Sequence, residues 1–199
     1  MRTAKTILTV IQERGKQKKP IERVYKLLFN RELYLNAYAK LYPNNGAMTK
    51  GVTDETVDGM SIQKIDRMIE ILREEKYQWK PARREYIKKK NGKKRPLGIP
   101  VWGDKVLQEV MRQILEAYYE PQFSEHSHGF RPNRGCHTAL QEIQVWKGTR
   151  WFIEGDISQY FDTIDHKILL EILARNIHDG RFIRLVSNML EAGYLEEWK

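Results

Sequence analysis

A short basic segment, residues 80–96, most constrains what this chain can form. It holds nine Lys or Arg residues against one acidic residue, Glu85, and so supplies most of the formal net charge of +9. Asn91-Gly92 lies near its centre, and this dipeptide favours a tight turn between two antiparallel strands. Residues 84–99 are therefore predicted to form a β-hairpin with a strongly positive surface.

This charge favours an anionic polymer as the partner, because a positive field concentrates phosphate groups at the protein surface. Charge alone does not distinguish nucleic acid from an acidic membrane surface as the partner. No apolar run approaches the roughly 20 residues that cross a bilayer. We therefore expect that a membrane is not among the partners. The single cysteine, Cys136, excludes an internal disulfide. We therefore predict that the protein is located in a reducing cytoplasm, with the bacterial cytosol as the first choice. The basic residues 1–20 leave an organelle open as the alternative.

The N-terminal half is predicted to be mainly helical. Residues 21–41 have apolar side chains at helical spacing and form one or two helices, whereas the Gly- and Asn-rich residues 43–59 form a loop. Ser61 is predicted to cap a helix with an inward face of Ile62, Ile65, Ile69 and Leu72. Asp104 is predicted to open another helix, with an inward face of Leu107, Val110, Met111, Ile114 and Tyr118.

The C-terminal half contains a predicted strand between helices. A short helix carries Leu140 and Ile143, and Arg150–Asp156 alternates in the manner of a strand. A final pair of helices follows, the first starting at Asp165, with an inward face of Ile168, Leu169, Ile172 and Leu173.

Asp156 is the candidate catalytic acid, because it ends the predicted strand. Polymerases that use two metal ions need a carboxylate on a rigid strand, where it can contact both Mg²⁺ ions. The alternative is that Asp156 only ends a strand or forms a turn, a common place for Asp. Asp162 and Asp165 are better explained as turn or helix-capping residues.

Other polar residues have weaker signals. Arg131 and Arg134 lie in a loop punctuated by Gly and Pro and are predicted to contact RNA phosphates. A zinc site is an alternative for this region but lacks the two separated ligand pairs of a zinc finger; its candidates are His126, His128, Cys136 and His137. In the hairpin, a solvated basic face that binds template phosphates without sequence preference is predicted for Lys88, Lys90, Lys93 and Lys94.

The hairpin turn determines which lysine faces Arg95. A two-residue turn at Asn91-Gly92 would place Lys88 opposite Arg95. A three-residue loop over 90–92, with Gly92 left-handed, would instead place Lys89 on the Arg95 face, since side chains alternate along a strand.

Four segments, in this order, carry a resemblance to a known family. They are NNGAMTKGVTDETVDG (44–59), YIKKKNGKKRPLGIPVWGDKVLQE (86–109), SHGFRPNRGCHTAL (127–140) and WFIEGDISQYFDTIDH (151–166). Together they resemble the N-terminal extension, fingers, insertion and first palm motifs of group II intron reverse transcriptase/maturases. The pattern departs from the family at Lys88, where Pro is usual, and at Ser158–Tyr160.

The resemblance implies an α/β right-hand reverse-transcriptase fold in which helical fingers and a β-hairpin lead into the first palm strand and helices. It divides the chain into a basic segment (1–20), fingers (21–149) and the start of the palm (150–199). The implied function is RNA-directed DNA synthesis with two Mg²⁺ ions, together with binding of the parent intron RNA during splicing. The implied partners are that RNA, an RNA template, a DNA primer and deoxynucleoside triphosphates, and a homodimer is left open.

The resemblance also implies roles for single residues. Asp156 and the carbonyl of Ile157 match metal ligands, Lys89 and Arg95 match residues that bind the triphosphate, and Phe161 matches the aromatic that excludes a ribose 2′-hydroxyl. For the loop 44–59, the implied RNA contacts are Asn45, Gly46, Thr49 and Lys50.

The family's remaining carboxylates lie in a Tyr-Ala-Asp-Asp turn, and this chain contains no Asp-Asp pair. We therefore expect an incomplete metal site, and RNA binding without polymerisation by this chain alone. The alternatives are a non-catalytic basic RNA-binding module of the same family and a basic RNA-binding protein unrelated to polymerases.

Overall fold

The structure is a computed structural model that describes residues 2–88, 92 and 94–196. Helices and two small sheets make up the fold. The α-helices in these residues are α1 (Ala4–Lys16), α2 (Arg31–Leu41), α3 (Ile62–Arg73), α4 (Trp102–Tyr119), α5 (Cys136–Gln144), α6 (Tyr160–Thr163), α7 (His166–Ala174) and α8 (Gly180–Glu191). The strands are β1 (Ile21–Glu22), β2 (Ala82–Lys88), β3 (Lys94–Ile99), β4 (Ile177–His178) and β5 (Tyr194–Leu195). Short 3-10 helices span Val24–Phe29, Val57–Gly59 and Glu120–Gln122.

Helix α4 is the element against which α1 and α2 pack. Its predicted inward face is confirmed, since Leu107, Val110, Met111, Ile114 and Tyr118 are all buried. The approach of α1 requires a glycine, because a Cβ built on Gly15 would lie 2.1 Å from the carbonyl oxygen of Tyr118.

The start of α4 differs from the prediction, because the helix begins at Trp102 rather than at Asp104. The Asp104 carboxylate does not cap the helix. It accepts hydrogen bonds from the Tyr77 hydroxyl (2.6 Å) and the Lys80 backbone N–H (3.0 Å). Asp104 therefore joins the first turn of α4 to the segment that precedes β2.

The predicted cap of α3 is confirmed, since the Ser61 hydroxyl accepts from the Lys64 N–H at 3.2 Å. The predicted face is correct except at its first residue. Ile65, Ile69 and Leu72 are buried, whereas Ile62 is 54% exposed. Met68 completes the buried stripe in its place.

The two sheets connect distant parts of the chain. β1 pairs in parallel with β4 through Ile21 and Ile177, and the second sheet has the order β3-β2-β5. Phe182 and Leu185 of α8 belong to the same core cluster as Val24 near the N-terminus. Residues assigned from sequence to the fingers and to the palm thus share one hydrophobic core.

Helices α5 and α7 form as predicted. The Asp165 carboxylate accepts from the backbone N–H groups of the next helix turn and caps α7. Ile168 and Ile172 are exposed, and the residues that pack against the core are Leu170 and Leu173. The inward face predicted for α7 is therefore correct at Leu173 and wrong at the two isoleucines. In α5, Leu140 and Ile143 are exposed.

The predicted strand Arg150–Asp156 does not form, and these residues are irregular. Their apolar side chains are in solvent, with Trp151 86% and Ile153 93% exposed. A strand needs a neighbouring strand to satisfy its backbone N–H and C=O groups. Among the described residues, neither sheet includes a strand that pairs with this segment.

Candidate nucleic-acid interface

The β2–β3 hairpin presents the cations predicted to bind phosphate. Ile87 pairs with Arg95, and Lys88 pairs with Lys94. Directly paired residues point to the same face and successive residues alternate, so Lys88 and Lys94 share one face while Arg95 lies on the other. The three basic side chains are exposed. The hairpin therefore has cations on both faces.

This register is the one expected for a three-residue loop over 90–92, rather than for a two-residue turn. Gly92 has a φ of +79°, the left-handed conformation that such a loop requires. Four residues of the tip lie outside the described residues: Lys89, Lys90, Asn91 and Lys93. Lys88 is not on the Arg95 face, and the assignment of Lys89 to that face stays a prediction.

The loop 44–59 is fastened to the hairpin and to α4. Arg83 of β2 donates two hydrogen bonds to the Lys50 carbonyl, from Nε at 3.1 Å and Nη2 at 2.9 Å. Lys105 of α4 donates from Nζ to the carbonyls of Gly46 (3.3 Å) and Thr49 (3.1 Å). The side chains that remain free on this loop are thus held at a fixed position beside the hairpin.

The environment of Lys105 reflects this anchoring role. Burial lowers the pKa of its ammonium group, and the positive charge of Arg83 lowers it further. Gly51 allows the close approach of the loop, because a Cβ there would lie 2.7 Å from the backbone nitrogen of Val101. The contacts of Arg83 and Lys105 were not predicted from the sequence. Their only signal was their position, Arg83 in the basic segment 80–96 and Lys105 in the motif 86–109. Their bonds to the loop span 33 to 59 residues.

The predicted RNA contacts of the loop are mostly accessible. Asn45, Gly46 and Lys50 are exposed and Thr49 is half-buried. The Lys50 ammonium lies 2.8 Å from the Asp54 carboxylate, and this hydrogen bond and charge lower the pKa of Asp54. Part of the Lys50 charge is therefore neutralised within the loop.

Arg131, for which an RNA contact is predicted, has its guanidinium bonded inside the protein. The side chain is 8% exposed and forms a salt bridge with Glu120 at 2.9 Å. It also donates to the carbonyls of Ser124 (2.6 Å) and Ser127 (2.8 Å). As placed, Arg131 stabilises the insertion loop instead of presenting a charge to phosphate. Arg134 is half-buried and donates to the Glu125 carbonyl.

Two of the candidate zinc ligands, His126 and His128, bond to one carboxylate. Glu142 of α5 contacts His126 and, at 2.8 Å, Nε2 of His128. Nδ1 of His128 lies 2.8 Å from the Thr138 hydroxyl. Hydrogen bonds from His128 and His126 lower the pKa of Glu142. This cluster ties the insertion loop to α5.

The predicted catalytic segment is accessible. Within the described residues, it forms no hydrogen bond or salt bridge with the cations of the hairpin. Asp156 is exposed, Ile157 is 67% exposed and Phe161 is 78% exposed. The Phe161 ring contacts Tyr160 edge-to-face, with 5.3 Å between ring centroids.

The described residues do not fit a two-ion Mg²⁺ site. Asp156 is a single exposed carboxylate, and across residues 2–88, 92 and 94–196 no three His, Cys, Asp or Glu side chains gather closely enough to hold a metal ion. Two-metal sites need several oxygen ligands around ions that lie close together.

No helix in the described part of the chain is long and apolar enough to span a bilayer.

A family model described as reverse transcriptase (RNA-dependent DNA polymerase) matches residues 87–198. The chain belongs to this family. Over 179 residues it is 50% identical to the group II intron-encoded protein LtrA of Lactococcus lactis subsp. cremoris, covering 89% of this chain and 30% of that protein. Over 202 residues it is 46% identical to an uncharacterized 91 kDa protein in the cob intron of Schizosaccharomyces pombe, covering 98% of this chain and 25% of that protein.

A plant relative has a narrower match. The mitochondrial nuclear intron maturase 1 of Arabidopsis thaliana is 36% identical over 93 residues, which cover 46% of this chain and 13% of that protein. The resemblance to group II intron-encoded proteins is thereby confirmed, and the chain spans a third or less of the length of these relatives.

Proposed function

We propose that this chain is the RNA-binding fingers and the start of the palm of an RNA-directed DNA polymerase that also binds its parent intron RNA. The observation that carries the proposal is the fastening of the loop 44–59 to the basic hairpin through Arg83. The loop and the hairpin form one surface with accessible Lys88, Lys94 and Arg95. Relatives named as intron-encoded proteins and as an intron maturase support intron RNA as the partner.

The chemistry of this surface suits a phosphate backbone. Exposed Lys and Arg side chains neutralise phosphates and release bound counterions, which makes affinity strongly dependent on salt. Backbone contacts fix register without reading sequence. In the complete polymerase, the same surface is proposed to hold the RNA template and the DNA primer.

A nucleotide site is proposed on the Arg95 face of the hairpin. Arg95 and Lys89 would bind the triphosphate through charge-assisted hydrogen bonds, and Phe161 would occupy the space of a 2′-hydroxyl. In a longer chain with polymerase activity, Lys89→Ala and Arg95→Ala should each raise the apparent KM for deoxynucleotides, with Lys88→Ala as the control. Phe161→Ala should raise ribonucleotide incorporation. Unchanged KM values and unchanged sugar discrimination in folded variants would contradict these roles.

Asp156 and the carbonyl of Ile157 are proposed as Mg²⁺ ligands of the complete protein. Mg²⁺ would supply charge stabilisation for phosphoryl transfer. One carboxylate cannot hold two ions, so the remaining ligands have to come from another part of the protein.

The second candidate function is non-catalytic RNA binding, and the isolation of Asp156 favours it for the described residues. Both candidates predict RNA binding, and only the first predicts DNA synthesis by a longer chain.

The experiment measures RNA affinity and primer extension with the same preparations. The 199-residue chain should bind structured RNA and extend no primer. A longer chain that includes the remaining acids should extend a primer, and Asp156→Asn should abolish that extension without lowering RNA affinity. DNA synthesis by the 199-residue chain, or full activity of the Asp156→Asn variant, would refute the assignment.

A further inference from the structure

A cavity of about 470 Å³ lies between α3 and the start of α4, apart from the proposed nucleotide site. None of Asp156, Phe161 and Arg95 lines it. Its apolar walls are formed by Met60, Met68, Ile71, Tyr77 and Trp102. A cavity of this size with aromatic and apolar walls suits a small planar ligand.

The rim of the cavity is positively charged. Lys64, Arg67, Lys76 and Lys80 line it and are exposed. Lys64 is paired with Glu55 and Lys76 with Glu74. Within residues 2–88, 92 and 94–196, no salt bridge involves Arg67 or Lys80. Arg67 is therefore available at the rim to bind an anion, and the charge of Lys80 also acts on the Asp104 carboxylate in the same wall.

One further feature of the wall favours a negative charge. Helix α4 begins at this wall, and its N-cap residue Val101 supplies no side-chain cap, so the first N–H groups of the helix favour negative charge. The Trp102 side chain is part of the same wall and is only 3% exposed.

We propose that this cavity holds one unstacked ribonucleotide, with its base among the apolar walls and its phosphate at the rim of Arg67 and Lys80. Unstacked bases are recognised in this way, by aromatic and apolar surfaces beside cations. The inference rests on the proposed function, because it names a contact within the bound RNA. Glu55 and Thr56 line the cavity and belong to the loop 44–59, so the cavity continues the proposed RNA surface.

The first test titrates the chain, labelled with methyl-¹³C methionine, with each nucleoside 5′-monophosphate. A base in the cavity should shift the methyl signals of Met60 and Met68 by its ring current. Met111 and Met189 line a different cavity, between α4 and α8, and should not shift. Unmoved Met60 and Met68 signals, or equal shifts at all four residues, would overturn the proposal.

The second test fills the cavity with a side chain. Ile71 and Ile62 are both exposed isoleucines of α3, at 36% and 54%, and only Ile71 lines the cavity. Ile71→Trp should weaken affinity for a structured RNA by about tenfold, the loss expected for one base contact, and should abolish the mononucleotide shifts. Ile62→Trp is the matched control and should change neither. Thermal unfolding of both variants verifies that they fold.

The outcomes separate this inference from the proposed function. Parent-like RNA affinity and retained mononucleotide shifts in Ile71→Trp would overturn the cavity as a nucleotide site while RNA binding by the hairpin stands. If the parent chain bound no RNA, the proposed function would fail, and the mononucleotide titration would still decide the cavity.

Discussion

Helix α4 and the segment 150–157 have similar apolar content but opposite environments. In α4, Trp102, Ile114 and Tyr118 are buried, whereas Trp151 and Ile153 are exposed. A helix satisfies its backbone hydrogen bonds internally, so α4 needs only a surface against which to pack. A strand depends on a neighbour for the same bonds. The comparison teaches that apolar patterning buries a segment only when its backbone partners are present.

The largest expected effect on stability distinguishes two isoleucines, one in α4 and one in the segment 150–157. Ile114→Ala should lower the free energy of unfolding by about 2–5 kcal/mol, because it leaves a cavity in the core. Ile153→Ala, at a side chain that is 93% exposed, should change it by less than about 0.5 kcal/mol. Urea unfolding measures both. Equal losses would mean that the segment 150–157 is packed in solution.

A pair of glycines gives the next largest effect. Gly15→Ala places a Cβ 2.1 Å from the Tyr118 carbonyl oxygen, whereas a Cβ on Gly155 has no neighbour within 4 Å. Gly15→Ala should destabilise the chain by about 1–3 kcal/mol, since overpacking forces α1 away from α4. Gly155→Ala should be nearly neutral, and thermal unfolding compares the two. A neutral Gly15→Ala variant would contradict the packing of α1.

The smallest effect concerns pH. Burial raises the pKa of Asp104 above its ordinary value of 3.8, although hydrogen bonds from Tyr77 and Lys80 oppose the shift. The folded chain thus binds this proton more tightly than the unfolded chain. The contribution of Asp104 to stability is greatest below pH 3.8 and falls as the pH rises through the folded pKa.

Asp104→Asn removes this titration. The free energy of unfolding of the variant relative to the parent should therefore rise as the pH increases from 3.8 through the folded pKa of Asp104. A relative stability of Asp104→Asn that falls over this range would show that the hydrogen bonds outweigh burial.

Local patterns predicted the parts of the fold that local interactions stabilise. The buried face of α4, the Ser61 cap and the Asp165 cap each depend on residues within a few positions, and each is confirmed. The predicted face of α7 was correct at Leu173 and wrong at Ile168 and Ile172, because the surface that buries a helix comes from elsewhere in the chain. The strand Arg150–Asp156 failed for the same reason.

The candidate interface was predictable in part. The basic hairpin and its resemblance to a fingers motif were visible in the sequence. The anchoring of the loop by Arg83 and Lys105 was not, since no periodicity links residues more than 30 positions apart. The salt bridge of Arg131 was also not predictable, because its partner Glu120 lies outside the loop that contains Arg131.

The central claim is that this chain binds RNA through the β2–β3 hairpin. The salt dependence of RNA affinity tests it most directly. The variant Lys88→Gln/Lys94→Gln/Arg95→Gln removes three exposed charges of the hairpin. The control Lys5→Gln/Lys26→Gln/Lys167→Gln removes three exposed charges elsewhere, so both lose the same net charge. The slope of log affinity against log salt should become shallower by about two in the hairpin variant and stay near the parent value in the control. Equal slopes in the two variants would contradict the claim.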